Sequence, residues 1–179
     1  MIVQVVFPRV DEGVLCDRDQ DVANLAAQSL AAAYAVKDAL VFFDTFVDHD
    51  RGYYPRHGLL DRRYNARIGL HVLSHLGDVL QAMGPIDYAK PIAASDGVLA
   101  VAIHANDCSC VLVIPGGSEA TLELSAAEID VGDRGRLHWL DLASGRKHKV
   151  QLSRSAADPD RLTIDPNPTL GAPGVLTID

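Results

Sequence analysis

The spacing of apolar residues changes character once along this chain, and that change limits the folds open to it. Up to Gly84-Pro85, stretches of helical spacing alternate with two short continuous apolar runs. From Val98 onward the helical period is gone, and short apolar runs recur between turn signals. The first part reads as strands and helices in alternation, the second as antiparallel β structure, so the chain is expected to be α+β. A β-α-β-α segment over residues 1–85 and a β-sandwich over residues 86–179 follow, with the boundary inside residues 84–98.

Residues 2–7 form the first continuous run, interrupted only by Gln4 and ended by Pro8, a pattern that suits a strand covered on both faces. Asp17, with Gln20 three residues on, imitates a capping box, and a helix is predicted over residues 22–36. Its apolar face would carry Val22, Leu25, Ala26, Ser29, Leu30, Ala33 and Val36. Residues 39–43 make the second run, so strand, helix and strand close a right-handed crossover with parallel strands. A second helix over residues 66–83 carries Ile68, Val72, Leu76, Val79, Leu80 and Met83 on one stripe, and Gly84-Pro85 stops it.

Seven runs follow, at 98–103, 110–114, 120–124, 137–142, 147–152, 161–164 and 175–178. The clearest hairpin joins residues 137–142 to 147–152 through Ser144-Gly145, and Trp139 is its natural core anchor. Pro115-Gly116-Gly117 marks another turn.

Charge and cysteine content exclude several roles. The formal charge is −8 and the basic residues do not gather into a run, so a nucleic-acid surface is not expected. Three cysteines give no disulfide framework; Cys108 and Cys110 would share one strand face and read as small buried residues. No segment reaches membrane-spanning length and no export leader is visible, so no membrane partner is expected and a cytoplasmic location is the default.

The chemistry-bearing residues concentrate at residues 44–57, directly after the second apolar run. Asp44 closes that strand and would project at a rim of the kind where α/β folds bind ligands, or else would cap a loop. Asp48, His49, Asp50 and Arg51 form a dense charged group, Tyr53 and Tyr54 are aromatic surfaces for a sugar ring, and His57 closes the stretch. The same charges also suit a loop held rigid by salt bridges. Their spacing fits no standard cation loop, and His71 and His75, four apart, lack the glutamate of a zinc-protease helix; neither metal nor other cofactor is expected.

Taken in order, the strand, acidic loop, alanine-rich helix, FFDTF strand, Asp-rich loop, HGLLDRRYNARIGLHVL and β domain resemble the C-terminal end of (β/α)8-barrel glycoside hydrolases. The likeness rests on His57-Gly58-Leu59-Leu60-Asp61 and Asn65-Ala66-Arg67, with Ala66 where a proline is frequent in that superfamily. It implies the last two βα units of a barrel followed by an accessory β-sandwich. A whole barrel takes about 250 residues, so six units would lie elsewhere. Retaining members work with two carboxyl groups about 5 to 5.5 Å apart. By resemblance, one would sit at the end of the first strand here, where Pro8-Arg9 stands and Glu12 is a nearby acid; Asp44 is the better placed carboxylate. Glu12 and Asp44 are therefore the catalytic candidates, with Asp48, Asp50, Arg51, Tyr53, Tyr54 and His57 as a substrate wall. The resemblance implies a part of a protein that hydrolyses O-glycosidic bonds, inactive by itself, whose open strands pair with a missing barrel portion or a second copy. A non-catalytic carbohydrate-binding or protein-interaction module, or a purely structural domain, would use the same stretch as a binding edge or as scaffold.

Overall fold

The computed structural model describes residues 2–5, 19–36, 39–43, 46–47, 58–106, 108–116, 122–129, 136–156, 158–168 and 171–178. Among these, β1 (Ile2–Val5), α1 (Asp19–Ala35), β2 (Leu40–Phe43) and α2 (Ile68–Met83) come first. They are followed by β3 (Tyr88–Ile92), β4 (Val98–Ala105), β5 (Cys108–Pro115), β6 (Glu123–Ser125), β7 (Leu137–Asp141), β8 (Lys147–Arg154), β9 (Arg161–Asp165) and β10 (Gly174–Ile178). The α+β mixture expected from the two apolar periods is therefore found.

β1 and β2 pair in parallel, Ile2 opposite Leu40 and Val5 opposite Phe43, as the intervening helix requires. The other eight strands follow one antiparallel hydrogen-bonded order, β3-β4-β5-β10-β7-β8-β9-β6. The two ends of that order meet. Ala94, just after β3, bridges Leu124 of β6, with Ser95 N–H donating to Glu123 O at 3.0 Å and Ser125 N–H to Ala93 O at 2.9 Å. The sheet is thus curled nearly into a barrel, which pairs edges that would otherwise stay open.

Strand alternation gives the sheet two buried faces. In β5, Val111 and Val113 point into the curl with Ala100, Ala102, Trp139, Val150, Ile164 and Leu176. Cys110, Leu112 and Ile114, the alternate residues, face the helices with Ile103, Leu142 and Val175. This explains why the run at 110–114 is continuously apolar in an antiparallel strand: helices cover the face that would usually meet water. Val72, Leu76 and Leu80 of α2 and Ala23, Ala27 and Ala31 of α1 complete that layer. Asn24 fastens α1 to the sheet, its Nδ2 donating to Pro115 O at 2.6 Å. The helices also touch closely, since a Cβ at Gly69 would come within 2.9 Å of Val22 Cγ1.

The β7–β8 hairpin turns where Ser144-Gly145 predicts. Asp141 accepts from Ser144 N–H at 2.7 Å and from its hydroxyl at 2.8 Å, and Gly145 adopts φ 69°, a conformation glycine takes without strain. His75 of α2 closes over this turn, its Nδ1 2.7 Å from Leu142 O. His71, exposed, stacks on His75 with ring centroids 6.3 Å apart.

Four readings are corrected. Along α1, Val22, Ala26 and Ser29 of the expected face are buried, whereas Leu25, Leu30 and Ala33 are half-buried and Val36 is exposed; Ala23, Ala27 and Ala31, outside that face, are buried against α2 and the sheet. β3 was not among the runs read from the sequence, which begin at residue 98; it lies at the end of the strand order, bonded to β4, where Pro91, a residue without an N–H, is tolerated. The run at 2–7, expected to be covered on both faces, leaves Ile2 exposed, and the equally continuous run at 39–43 leaves Leu40 and Phe42 exposed. Of the cysteines read as small buried residues, Cys110 is buried, and burial pushes its thiol up to about 12, whereas Cys108 at the strand start is exposed.

Candidate functional site

In a parallel βαβα segment, the connections from strand ends to helix starts share one side, the side at which such folds assemble sites. Here these connections are residues 6–18 and 44–67. The sequence candidates Glu12, Asp44, Asp48, Asp50, Arg51, Tyr53, Tyr54 and His57 all fall within them, and all lie outside the described residues. The described residues supply the frame.

Two clamps build that frame. The first joins the starts of the two helices: Arg67, which precedes α2, donates from Nε to Asp19 Oδ1 at 2.7 Å, and its Nη2 meets the same oxygen. The guanidinium is largely buried, with 10% of its side chain exposed, so this charge-assisted contact is shielded from solvent. The acid also lies in the first turn of α1, where the helix dipole favours it.

The second clamp closes the stretch after β2 on itself. Leu60 N–H donates to Phe46 O at 2.9 Å, and Val47 bridges Leu60, so the two ends of residues 48–57 are held side by side. Arg67 N–H then donates to Leu59 O at 2.9 Å, and Leu59, 2% exposed, packs on Val22 of α1. The described residues on either side of positions 48–57 are therefore held together, and Leu59 ties them to α1.

The motif Asp61 to Asn65 is a tight turn within this clamp. Asp61 accepts from Arg63 N–H at 2.7 Å, Asn65 N–H at 2.8 Å and Asn65 Nδ2 at 2.8 Å, while Tyr64 adopts φ 63° and is exposed. The Asn65 side chain, followed by its backbone N–H, holds the Asp61 carboxyl below its ordinary 3.8. The turn is fully bonded above that value and loosens as pH falls through the depressed one. An NMR titration is expected to give Asp61 a midpoint below 3.8, and Asn65→Ala to move it upward; an unmoved midpoint would contradict this account of the turn.

Sequence reasoning matched Asn65-Ala66-Arg67 as a motif but did not foresee the Arg67–Asp19 pair. Its signal was present in the acids of residues 17–21, but the partners are 48 positions apart. Among the described residues, no group of three or more His, Cys, Asp or Glu is placed to hold a metal ion. No described helix is long and apolar enough to cross a membrane.

No protein-family model and no curated protein matches this sequence. Solved structures do share its fold. A family 39 glycoside hydrolase from the gut symbiont Bacteroides cellulosilyticus WH2 matches 92% of the chain with a TM-score of 0.59 at 13% identity. A gamma-CGTase from alkalophilic Bacillus clarkii matches 99% with 0.58 at 10% identity. A noncanonic maltogenic alpha-amylase, AmyB from Thermotoga neapolitana, matches 98% with 0.55 at 12% identity. The chain spans 31%, 26% and 41% of those structures, respectively, so it corresponds to a part of each.

Proposed function

We propose that this chain is the C-terminal part of a glycoside-hydrolase-like protein that cleaves O-glycosidic bonds when complete and has no hydrolytic activity by itself. Residues 1–85 would be the last two βα units of its barrel and residues 86–179 its accessory β domain, of the sandwich type. The observation that carries this reading is the state of the parallel pair. Parallel strands are ordinarily covered on both faces, yet Ile2, Leu40 and Phe42 are exposed at 73%, 57% and 53%. Among the described residues, neither outer edge of this pair has a strand partner. Further strands, from an upstream barrel portion or a second copy of the chain, would pair these edges and cover this face. The fold shared with carbohydrate-active enzymes over most of this chain, but under half of theirs, supports the same reading.

In the complete protein Asp44 would be the strand-end carboxylate and Glu12 the loop acid, with Asp48, Asp50, Arg51, Tyr53, Tyr54 and His57 forming a wall against the sugar. The Arg67–Asp19 pair and the Phe46–Leu60 clamp would hold that wall in place. The test is turnover of nitrophenyl glycosides by the 179 residues and by a longer protein that includes the coding region upstream. The short form is expected to stay at the buffer rate and the long form to hydrolyse, with Asp44→Asn lowering its rate by a factor on the order of 100 or more. Turnover by the short form would overturn the proposal. A non-catalytic carbohydrate-binding or protein-interaction module predicts instead that neither form turns over substrate.

A further inference from the structure

The curled sheet has an aromatic feature at one end that the barrel-like segment does not use. Interior residues alternate along β4 as Ala100 and Ala102 and along β5 as Val113 and Val111; the next residues of the same parity are His104 and Ser109. Tyr88 of β3 lies opposite His104 and has the same parity as Ile92, another interior residue. The inward face of the sheet thus runs out at its rim into Tyr88, His104 and Ser109.

There the three side chains form an ordered stack. The Tyr88 and His104 rings are 4.4 Å apart at 26°, and Ser109 Oγ lies 2.7 Å from His104 Nδ1. Tyr88 keeps 49% of its surface exposed. A cross-strand pair that served only the sheet would gain by covering its ring; this one holds a flat apolar surface open while fixing its orientation from behind. Asp87 Oδ2 accepts from Asn106 N–H at 2.7 Å, which ties the residue before β3 to the residue after β4. A flat ring backed by His104 suits a ligand that is apolar on one face. A hexopyranose ring has that form.

We propose that Tyr88, positioned by His104 and Ser109, is a stacking subsite for one hexopyranose ring of an oligosaccharide, separate from the rim that carries Asp44. It rests on the carbohydrate reading above, but it concerns binding and needs no catalysis. The rigid backing limits the ordering cost of binding, so a small contact area can still give measurable affinity.

The experiment is NMR titration of the full 179-residue chain with maltotriose and, separately, cellotriose, following the ring signals of Tyr88, His104 and Tyr64. Saturable shifts at Tyr88 and His104 are expected with at least one of the two sugars, while Tyr64, exposed on the Asp61 turn, stays unmoved. Tyr88→Phe keeps the flat face and should bind within about threefold of the parent, whereas Tyr88→Ala should lose about tenfold or more. No saturable shift at Tyr88 with either sugar, or equal binding by the Tyr88→Ala protein, overturns the subsite. The two proposals fail separately. Hydrolysis by the longer protein with a silent Tyr88 removes only the subsite, and Tyr88 shifts without hydrolysis remove only the hydrolase.

Discussion

Gly174→Ala is expected to destabilise the fold by about 3 kcal/mol, near the upper end of what overpacking a well-filled core costs. A Cβ at this position would stand 2.0 Å from Trp139 Cζ2, 2.6 Å from Cε2 and 2.7 Å from Cη2. Neither partner can withdraw easily. Trp139 is 2% exposed inside the curl, and Gly174 belongs to β10, which is bonded to β5 on one side and β7 on the other. For a chain of this size, such a loss lowers the melting temperature by roughly 6–12 °C. Trp139→Ala should cost about 3–5 kcal/mol by itself. The two changes act on the same space, so the double variant should be less destabilised than their sum by about 1 kcal/mol or more. Denaturant melts of all four proteins check this. Costs that add without coupling would mean that the glycine is not there to admit the indole.

The sequence made the elements legible where one periodic signal dominated. α2 is such a case: Val72, Leu76 and Leu80 repeat every four residues, each is fully buried, and Gly84 ends the helix at φ 83°. The hairpin around Gly145 was equally plain because the turn needs a left-handed residue at one position. Where no one signal dominated, the reading slipped. Along α1 the expected face was right at Val22, Ala26 and Ser29, but Ala23, Ala27 and Ala31 are buried as well, in the cluster shared with α2 and the sheet. β3 gave no apolar run to read, since Tyr88-Ala89-Lys90-Pro91-Ile92 mixes polar and apolar residues, and Pro91 is tolerated because β3 lies at the end of the strand order.

The candidate site itself lies outside the described residues. Residue types concentrated at 44–57 and the strand-before-loop order singled it out in the sequence, and what the structure describes are the contacts on either side of it, Phe46–Leu60 and Arg67–Asp19. Long-range pairing was not legible, since nothing local in Asp19 says that its partner is Arg67. Nor was the Tyr88 stack, which arises when strand register places a residue of β3 beside one of β4.

Leu76→Ala should be the most informative change in the helical layer, because it tests whether helices and sheet unfold together. Leu76 is fully buried in the cluster that joins Ala27 and Val72 to Leu112 and Val175, and truncating a leucine in such a place costs about 2–5 kcal/mol. Trp139 reports on the other face of the same sheet, inside the curl. If β5 and β10 transmit the loss, the helical far-UV signal and the Trp139 fluorescence will shift to one lower midpoint. β5 favours that result: its successive residues Val111, Leu112 and Val113 alternate between the two clusters, so the strand cannot leave one core without disturbing the other. A helical transition that moves down while the Trp139 transition stays where it was would show instead that the helical layer is docked on the sheet as a separate folding unit. In that case the parallel pair and its rim would draw their rigidity from further strands rather than from the β domain behind them.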